Sequence, residues 1–381
     1  MDTIGIYIHV PFCTHQCPFC AFSTVQYSRS LLDAYMAALK GEFRYLLEQY
    51  NLNGRKLQSI YLGGGTPSLI PQKQLLEVLD LCRSVFQTPD DLEVTLEATP
   101  ESINPQKARA LLREGVNRLS LGAQSFSDKE LKLLGRNHTA DQSRRAVLTA
   151  RDAGFTHISL DLIYALPGQS LDQWMFSVQE ALAISPQHIS FYGLTLEEGT
   201  PFYEFKESGR FCFPNEDEQS FLYTTARELL AERDFDQYEI SNFSKPGYQC
   251  RHNLIYWSDG DYLGLGASAH SHMNGRRFAN CFDPQEYIHR ISSDGHAVAE
   301  IEHLTPEKKA REAIAFGLRR TAGSNLQETL SRYHAQLPQD FYQTLENLQS
   351  HGLLTFFSDT LKLTPKGLMV ADELAATILS V

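Results

Sequence analysis

The feature that most constrains the fold of this chain is a regular alternation of short β-branched or aromatic runs with longer helix-period segments over roughly the first 200 residues. The predicted strands span residues 4–10, 59–62, 92–98, 118–121, 157–165 and 187–194. The predicted helices span residues 30–50, 73–86, 105–114, 127–134, 141–153 and 171–184. Because parallel strands are joined by helical crossovers, this series predicts a parallel sheet, either doubly wound or curled into a barrel.

Chemically unusual residues cluster where the predicted strands end. Three closely spaced cysteines follow the first strand, and a Gly-Gly-Gly-Thr-Pro run at 63–67 follows the second. Later strands end near Glu97, Gln124, Asp161 and Thr195-Leu196-Glu197. The carboxyl ends of parallel strands share one edge, where barrels and open sheets hold their chemistry. This convergence favours a barrel over a doubly wound sheet, so we predict an α/β fold with a barrel of six β–α units.

The pattern changes after about residue 205. Residues 216–302 combine a predicted helix at 216–233 with aromatic and glycine-rich loops. From residue 303 the chain reads as helices followed by a small hairpin, which is typical of a winged-helix-like unit. We therefore predict three parts: a barrel at 1–215, an extension at 216–302, and a smaller, mainly helical C-terminal domain at 303–381.

Charge and hydropathy narrow the functional classes. The chain has 34 Lys and Arg against 46 Asp and Glu, a formal net charge of −12. Because nucleic-acid binding depends on neutralising phosphates, we expect no nucleic-acid partner. No apolar segment approaches the length of a membrane span, and the apolar stretch at 4–12 has no basic region before it and is interrupted by His9. We predict a cytoplasmic protein with reduced cysteines.

Cys13, Cys17 and Cys20 lie within eight residues, and such spacing in a reducing compartment indicates a metal or cluster rather than disulfides. One alternative is zinc with His9 or His15 as a fourth ligand, although zinc sites usually pair two Cys-x2-4-Cys units. A [4Fe–4S] cluster normally takes four thiolates. Three leave one iron open to the amino and carboxylate groups of S-adenosylmethionine, whose C–S bond can then be cleaved to a 5′-deoxyadenosyl radical.

The Cys-x3-Cys-x2-Cys spacing resembles the signature of radical S-adenosylmethionine proteins. With the flanking Tyr7-Ile8-His9-Val10-Pro11-Phe12, the segment 7–22 is similar to the start of the oxygen-independent coproporphyrinogen III oxidase family. The resemblance continues through 63–67, 121–126, 134–138 and 160–167 and ends at 363–367, so it covers nearly the whole chain. It implies an α/β fold, with a partial (β/α)6 TIM-type barrel of the radical SAM type and a smaller, mainly helical winged-helix-like C-terminal domain.

Carried over residue by residue, the resemblance implies that Cys13, Cys17 and Cys20 ligate the [4Fe–4S] cluster. It also implies a set of residues around S-adenosylmethionine, some of them at a second such site. That set comprises Tyr7, Phe22, Gly64, Gly65, Thr66, Glu97, Gln124, Arg136 and Asp161. Glycines suit close approach of backbone to a ligand, and a carboxylate suits an ammonium or a ribose diol. No catalytic residue is assigned.

Two departures separate this chain from the oxidases. The oxidase motif continues to a fourth cysteine where this chain has Phe22, and the oxidase has an N-terminal extension before the first strand. Both departures place the chain with a heme chaperone group that is similar to the oxidases but lacks their decarboxylase activity. The segment 252–257 matches the His-Asn-x-x-Tyr-Trp motif of that group, which implies His252, Asn253, Tyr256 and Trp257 as candidate heme residues. Imidazole is a good axial ligand for heme iron.

The resemblance implies a heme chaperone that carries a cluster and S-adenosylmethionine and delivers heme to apo-proteins, such as membrane-bound respiratory enzymes, with an electron donor as a further partner. Two alternatives stay open. The first is a radical SAM tetrapyrrole enzyme: a coproporphyrinogen oxidase, a methylase or a ring-opening enzyme. The second is a zinc-binding interaction protein, which iron and acid-labile sulfide analysis distinguishes.

Overall fold

The computed structural model describes residues 3–381. In chain order the strands are β1 Thr3–Val10, β2 Phe12–Cys13, β3 Val25–Gln26, β4 Lys56–Gly64, β5 Glu93–Ala98, β6 Arg118–Gln124, β7 His157–Tyr164, β8 His188–Gly193, β9 Asp236–Gln237, β10 Asn242–Ser244, β11 Tyr262–Leu265, β12 His270–Met273, β13 Arg276–Asn280, β14 Val298–Glu302, β15 Ser324–Asn325, β16 Leu354–Phe357 and β17 Thr360–Leu363. All six predicted strands are present, with boundaries that differ by at most three residues.

The helices in chain order are α1 Arg29–Tyr50, α2 Gln72–Val85, α3 Pro105–Arg113, α4 Asp128–Leu133, α5 Ala140–Ala153, α6 Leu171–Ala183, α7 Pro201–Glu207, α8 Glu216–Ala231, α9 Arg251–Trp257, α10 Pro284–Asp294, α11 Pro306–Gly317, α12 Leu326–Tyr333, α13 Gln339–Ser350, α14 Pro365–Leu368 and α15 Ala371–Ser380. Local capping sets several of these boundaries. Asn104 caps α3 with Pro105 in its first turn, and Gly154 ends α5 in the left-handed conformation.

The six predicted strands form a continuous parallel sheet in the order β1-β4-β5-β6-β7-β8. This arrangement confirms the partial barrel. Residues 216–302 then lengthen the same sheet at both edges: β10 and β9 pair beyond β8, and β11 to β14 pair beyond β1. The expectation of loops around the 216–233 helix was therefore wrong for these segments. Their strands are short, and β11 pairs in parallel with a strand more than 250 residues earlier, which no local pattern reveals.

The apolar core lies outside the barrel, between the sheet and its helices. Along β1, Ile4, Ile6 and Ile8 are completely buried on the outer face, while the alternate residues Tyr7 and His9 belong to the inner face. Burial of an aliphatic side chain of this size contributes about 1.5–3 kcal/mol, so these side chains stabilise the packing of the sheet against its helices. The barrel interior is thereby left for polar side chains.

Residues from 304 onwards build a second, smaller core around Ile314, Leu326, Phe341 and Leu361. Helices α11 to α13 precede the antiparallel pair β16–β17, and β15 joins β17 to complete a three-stranded sheet. This order confirms the predicted helices followed by a hairpin. Among residues 3–381, no helix combines the length and apolar composition that crossing a membrane requires.

Candidate functional site

The three motif cysteines lie on a loop that leaves β1 at the carboxyl rim of the barrel. The loop is anchored at both ends, because the Val25 N–H donates to the Pro11 carbonyl at 2.7 Å and the Tyr27 N–H donates to the Cys13 carbonyl at 2.8 Å. The glycine loop after β4 packs against it through backbone bonds from Gly65 to Val10 and from Thr66 to Phe12, each 2.8 Å long. The backbone therefore fixes the relation between the two motifs.

Each cysteine sulfur receives one hydrogen-bond donor. The Thr66 hydroxyl lies 3.6 Å from Cys13 Sγ, and Arg136 Nη1 lies 3.5 Å from Cys17 Sγ. The Phe22 backbone N–H donates to Cys20 Sγ. Partial burial raises the pKa of Cys13 and Cys20, and the neighbouring thiols add to the effect. The three side chains thus share one electrostatic environment.

Within residues 3–381, no three His, Cys, Asp or Glu side chains already form a coordination sphere for a metal ion. The residues at the rim nevertheless have the ligand chemistry of an iron–sulfur cluster. Three cysteines, which supply soft thiolate ligands, lie close together, and each sulfur has a hydrogen-bond donor beside it. Gly65 leaves space beside this loop, because a Cβ there would lie 3.0 Å from Cys13 Sγ and 2.8 Å from the Phe12 carbonyl oxygen.

Of the two histidines considered as a zinc ligand, His15 is exposed, and His9 is buried with both ring nitrogens engaged. Its Nδ1 lies 3.1 Å from the Tyr7 hydroxyl, and its Nε2 lies 2.9 Å from the Ser23 carbonyl oxygen. Burial lowers the pKa of His9, so the ring is neutral at physiological pH. Coordination of a metal by His9 would break one of these bonds. The His9 ring also explains why position 64 is a glycine. Gly64 has φ of +108°, and a Cβ there would lie 2.5 Å from the imidazole.

Glu97 ties the glycine loop to the barrel interior. One carboxylate oxygen accepts from the Tyr61 hydroxyl at 2.8 Å, and the other accepts from the Gly64 N–H at 3.0 Å. Burial, with a contribution from the charge of Asp161, raises the pKa of Glu97 to about 7. The carboxyl group therefore changes charge near neutral pH, and it lies beside the backbone that would meet a ligand.

The remaining predicted residues of this set line the same rim and interior. The Asp161 carboxylate accepts from Ser120 at 3.0 and 3.1 Å and interacts with Ser190 on the next strand. Gln124 ends β6 with φ of +64°, a strained conformation for this residue type that is often found at functional sites. The Phe22 ring is 66% exposed at the rim. The cysteines, the glycine loop and Gln124 thus lie at the carboxyl end of the barrel, whereas Tyr7 lies deeper in the interior, with its ring centroid 6.4 Å from that of His252.

The His-Asn-x-x-Tyr-Trp motif lies elsewhere. It forms α9, which packs against the amino-terminal ends of the barrel strands, opposite the cysteine loop. The Glu93 carboxylate at the start of β5 accepts from the backbone N–H groups of Arg251 at 3.1 Å and His252 at 3.0 Å. A carboxylate at this position satisfies the free donors of a helix and complements its dipole. Helix α9 therefore closes the base of the barrel.

His252 is completely buried within this base. Its Nδ1 lies 2.8 Å from Ser59 Oγ, and its Nε2 lies 2.8 Å from the Tyr256 hydroxyl. Burial lowers the pKa of His252 to about 3. Because both ring nitrogens are hydrogen-bonded, coordination of heme iron by His252 would require the base to open. The structure therefore does not present the candidate heme histidine at a free surface.

The other candidates in the motif also have defined contacts. The Asn253 N–H donates to Cys250 Sγ. The Tyr256 ring packs edge-on against Tyr262, with centroids 4.6 Å apart. Trp257 faces the C-terminal part of the chain, where the Arg319 guanidinium lies 4.7 Å from its ring centroid. These contacts join the barrel base to its neighbours.

Sequence reasoning missed the polar residues that hold this base: Ser59, Glu93, Arg118, His188 and Tyr238. Arg118 donates to the Tyr248 carbonyl at 2.9 Å, and His188 Nε2 lies 2.8 Å from the Tyr238 hydroxyl. A usable signal existed, because Glu93, Arg118, His157 and His188 are charged or ionisable residues at the first position of four successive strands whose second and fourth residues are apolar. Buried polar residues need partners, so this pattern predicts a polar element against the strand starts.

Comparison with known proteins identifies relatives of the whole chain. The Radical SAM superfamily matches residues 7–181, and the HemN C-terminal domain matches residues 304–370. The heme chaperone HemW of Bacillus subtilis is 34% identical over 375 residues, with 98% of each chain covered. The heme chaperone HemW of Escherichia coli is 36% identical over 281 residues, which covers 71% of this chain and 70% of that protein.

Among solved structures, the coproporphyrinogen III oxidase HemN of Escherichia coli, a radical SAM enzyme, matches with a TM-score of 0.84. The match covers 98% of this chain and 89% of that chain at 22% identity. At this identity the likeness establishes the fold, including the partial barrel and the C-terminal part.

Proposed function

The chain belongs to the HemW family of the radical SAM superfamily, and from this membership we propose that it is a heme chaperone, which binds heme and delivers it to apo-proteins. The single observation that carries the proposal is the match to relatives named as heme chaperones over 98% of both chains. A match of that extent includes the cysteine loop, the barrel base and the C-terminal part together.

The superfamily implies a [4Fe–4S] cluster and S-adenosylmethionine as cofactors. Cys13, Cys17 and Cys20 would hold the cluster, and when bound it supplies one electron at low potential. The protein residues around it have distinct tasks. Glu97 orients the glycine loop through Gly64 and can accept an ammonium group once it is ionised. These tasks support assembly of a cofactor site at the rim.

Heme is the proposed cargo. The family motif supplies His252, Asn253, Tyr256 and Trp257 as candidates, and their role in heme binding stays a prediction. If His252 binds iron, heme binding requires α9 to leave the barrel base, since both imidazole nitrogens are otherwise engaged. Heme binding by His252 would then be accompanied by exposure of Glu93 and Ser59.

The proposed function needs three kinds of partner. They are heme itself, an apo-protein that requires heme, and a one-electron donor for the cluster. Membrane-bound respiratory enzymes are the expected class of apo-protein. A cytoplasmic location, as predicted from the sequence, is compatible with all three.

A radical SAM tetrapyrrole enzyme is the second candidate. The specific observation in its favour is that the cysteine loop, the glycine loop and Glu97 all meet at one rim, as catalysis with S-adenosylmethionine would require. Phe22 at the position of the fourth oxidase cysteine counts against coproporphyrinogen decarboxylation in particular.

One experiment separates the two candidates. Anaerobically reconstituted full-length protein is titrated with hemin and followed by absorbance, and a parallel sample receives S-adenosylmethionine, reductant and coproporphyrinogen III. We expect saturable hemin binding and no protoporphyrinogen. A matched titration with the Cys13→Ala, Cys17→Ala and Cys20→Ala variants shows whether hemin binding depends on the cluster. Formation of protoporphyrinogen by the wild-type protein, or failure to bind hemin, would contradict the chaperone proposal.

A further inference from the structure

We propose that Arg136 is a positioning residue for the iron–sulfur cluster. Its guanidinium N–H donates a hydrogen bond to the sulfur of Cys17, and this bond makes the cluster easier to reduce. The inference rests on the proposed function, since it assumes that the three cysteines hold a [4Fe–4S] cluster. It assigns Arg136 a contact with the cluster ligand itself, in addition to the contact with S-adenosylmethionine that the family resemblance implies.

The guanidinium is held at both sides. Nη1 lies 3.5 Å from Cys17 Sγ, within hydrogen-bond distance for sulfur, and Nη2 donates to the Gly122 carbonyl oxygen at 3.2 Å. The second bond joins the side chain to β6, a central strand of the barrel sheet. Since the fork of an arginine is planar and rigid, fixing one nitrogen also fixes the direction of the other.

The backbone that carries Arg136 is packed directly against the cysteine loop. Gly135 has φ of +67°, and a Cβ at this position would lie 2.7 Å from Pro18 Cδ, between Cys17 and Cys20 in the loop. The Arg136 N–H donates to the Leu131 carbonyl at 2.8 Å, which ends the turn after α4. Arg136 is therefore placed by a close contact between two backbone segments, and its position does not depend on the side chain alone.

Arg136 is the one charged donor among the three donors that the described residues direct at the cysteine sulfurs. Thr66 offers a neutral hydroxyl to Cys13, and Phe22 offers a backbone N–H to Cys20. The charge of Arg136 also extends to Cys13 and Cys20. A charge-assisted hydrogen bond is roughly twice as strong as a neutral one. The guanidinium should therefore exceed the other two donors in its effect on the cluster.

The direction of the effect follows from charge. Reduction of a [4Fe–4S]2+ core to [4Fe–4S]1+ adds one electron from a low-potential one-electron donor, and no bond is formed or broken in the protein. The added negative charge spreads onto the thiolate sulfurs. A cation and an N–H donor at Cys17 Sγ stabilise the reduced state more than the oxidised state, because hydrogen bonds to the sulfurs and net charge set the potential of such clusters. Removing the guanidinium should make the potential more negative.

The test uses full-length protein, anaerobically reconstituted, with iron and acid-labile sulfide measured first. The fraction of reduced cluster is then followed by electron paramagnetic resonance during a redox titration, without S-adenosylmethionine. At a given potential we expect Arg136→Gln to lower the ratio of reduced to oxidised cluster about tenfold, which corresponds to a shift of about 59 mV for a one-electron couple. Arg136→Lys, which keeps the charge without the fork, should fall between Arg136→Gln and the wild type.

Arg144→Gln is the matched control, because it removes one arginine charge from α5, where Arg144 pairs with Glu180 and lies over Phe126. It should leave the potential unchanged. Equal potentials of Arg136→Gln and the wild type would overturn the inference, as would a difference that appears only after S-adenosylmethionine is added. If Arg136→Gln assembles no cluster, the titration of Arg136→Lys decides by the same criterion. Absence of iron and sulfide from the wild-type protein would instead refute the cluster, and with it the proposed function.

Discussion

Glu42 is a carboxyl group enclosed by the donors that hold the rim loop after β11. It is 1% exposed. One oxygen accepts from the Tyr287 hydroxyl at 2.7 Å and from the Gly266 N–H at 2.8 Å, and the other accepts from the Asn280 side-chain amide. Burial nevertheless raises the pKa of Glu42 to about 7, against an ordinary value of 4.5. A single residue thereby joins α1 to the segments that flank the cysteine loop.

The raised pKa of Glu42 predicts a pH-dependent stability. Below pH 4.5 the Glu42 carboxyl is protonated in both the folded and the unfolded state, so its titration does not change the free energy of unfolding there. As the pH rises from 4.5 to 7, the unfolded state loses its proton first, so the folded state loses stability, by about 3 kcal/mol in total for a shift of this size. We expect the free energy of unfolding of Glu42→Gln, relative to the wild type, to rise between pH 5 and pH 8 in urea titrations. A difference that is flat or falls with pH would contradict the prediction.

Individual residues differ in how far sequence could place them. Spacing alone predicted that Cys13, Cys17 and Cys20 share a loop, because residues so close in sequence cannot lie far apart. The surroundings of His252 could not be predicted in this way. Its hydrogen-bond partner Ser59 lies 193 residues earlier, and nothing near His252 in sequence shows which end of the barrel it meets. The polar residues at the strand starts indicate only that some polar element packs against that end of the barrel.

At the scale of elements, the parallel strands were predicted well and the edge strands were not. Each barrel strand has an apolar run, a following helix and a sequential neighbour to pair with, so local pattern and tertiary structure agree. Strand β11 has glycine at position 264 and pairs with β1, whereas β12 to β14 are short and extend the sheet beyond it in series, β12 on β11, β13 on β12 and β14 on β13. Such strands depend on the sheet that they join rather than on their own propensity.

Helix α9 is an element whose stability depends on a residue outside it. It has seven residues, and the described structure gives it no capping bond from the side chain of its N-cap residue, Cys250. Glu93 of β5 accepts from the N–H groups of Arg251 and His252 instead. A helix this short is marginal alone, so the buried carboxylate and the packing of His252 must hold it in place.

This arrangement predicts that Glu93→Gln destabilises the protein by about 2–3 kcal/mol, since a charge-assisted acceptor of two backbone donors is lost. The cluster absorbance of the reconstituted variant should stay at the wild-type level, because the cysteine loop lies at the opposite end of the barrel. Asp91→Asn is the matched control: Asp91 pairs with Arg251 of the same helix, but this ion pair is exposed. Urea denaturation should show no measurable change for the control. Equal stability of the two variants would refute the capping role of Glu93.

At the scale of the whole molecule, the barrel base is also the contact with the C-terminal part. The Trp257 ring at the end of α9 lies against Arg319, and its centroid is 6.5 Å from that of Phe316 on α11. The Thr321 N–H donates to the Tyr238 carbonyl at 3.1 Å. A substitution at the base should therefore also change the stability of the C-terminal part, although that part has its own separate core.

The position of Trp257 predicts a change confined to this contact. Trp257→Ala removes the stacking with Arg319 and the packing on Phe316, so the segment 306–381 should open more often while the barrel strands keep their stability. We expect amide hydrogen exchange to be on the order of tenfold faster in α11 and α15, as a loss of about 1.4 kcal/mol gives. Phe357→Ala is the control, since its ring is 82% exposed at the end of β16, and exchange there should match the wild type. Faster exchange spread evenly over β1 to β8 would show that Trp257 supports the barrel rather than the contact between the two parts.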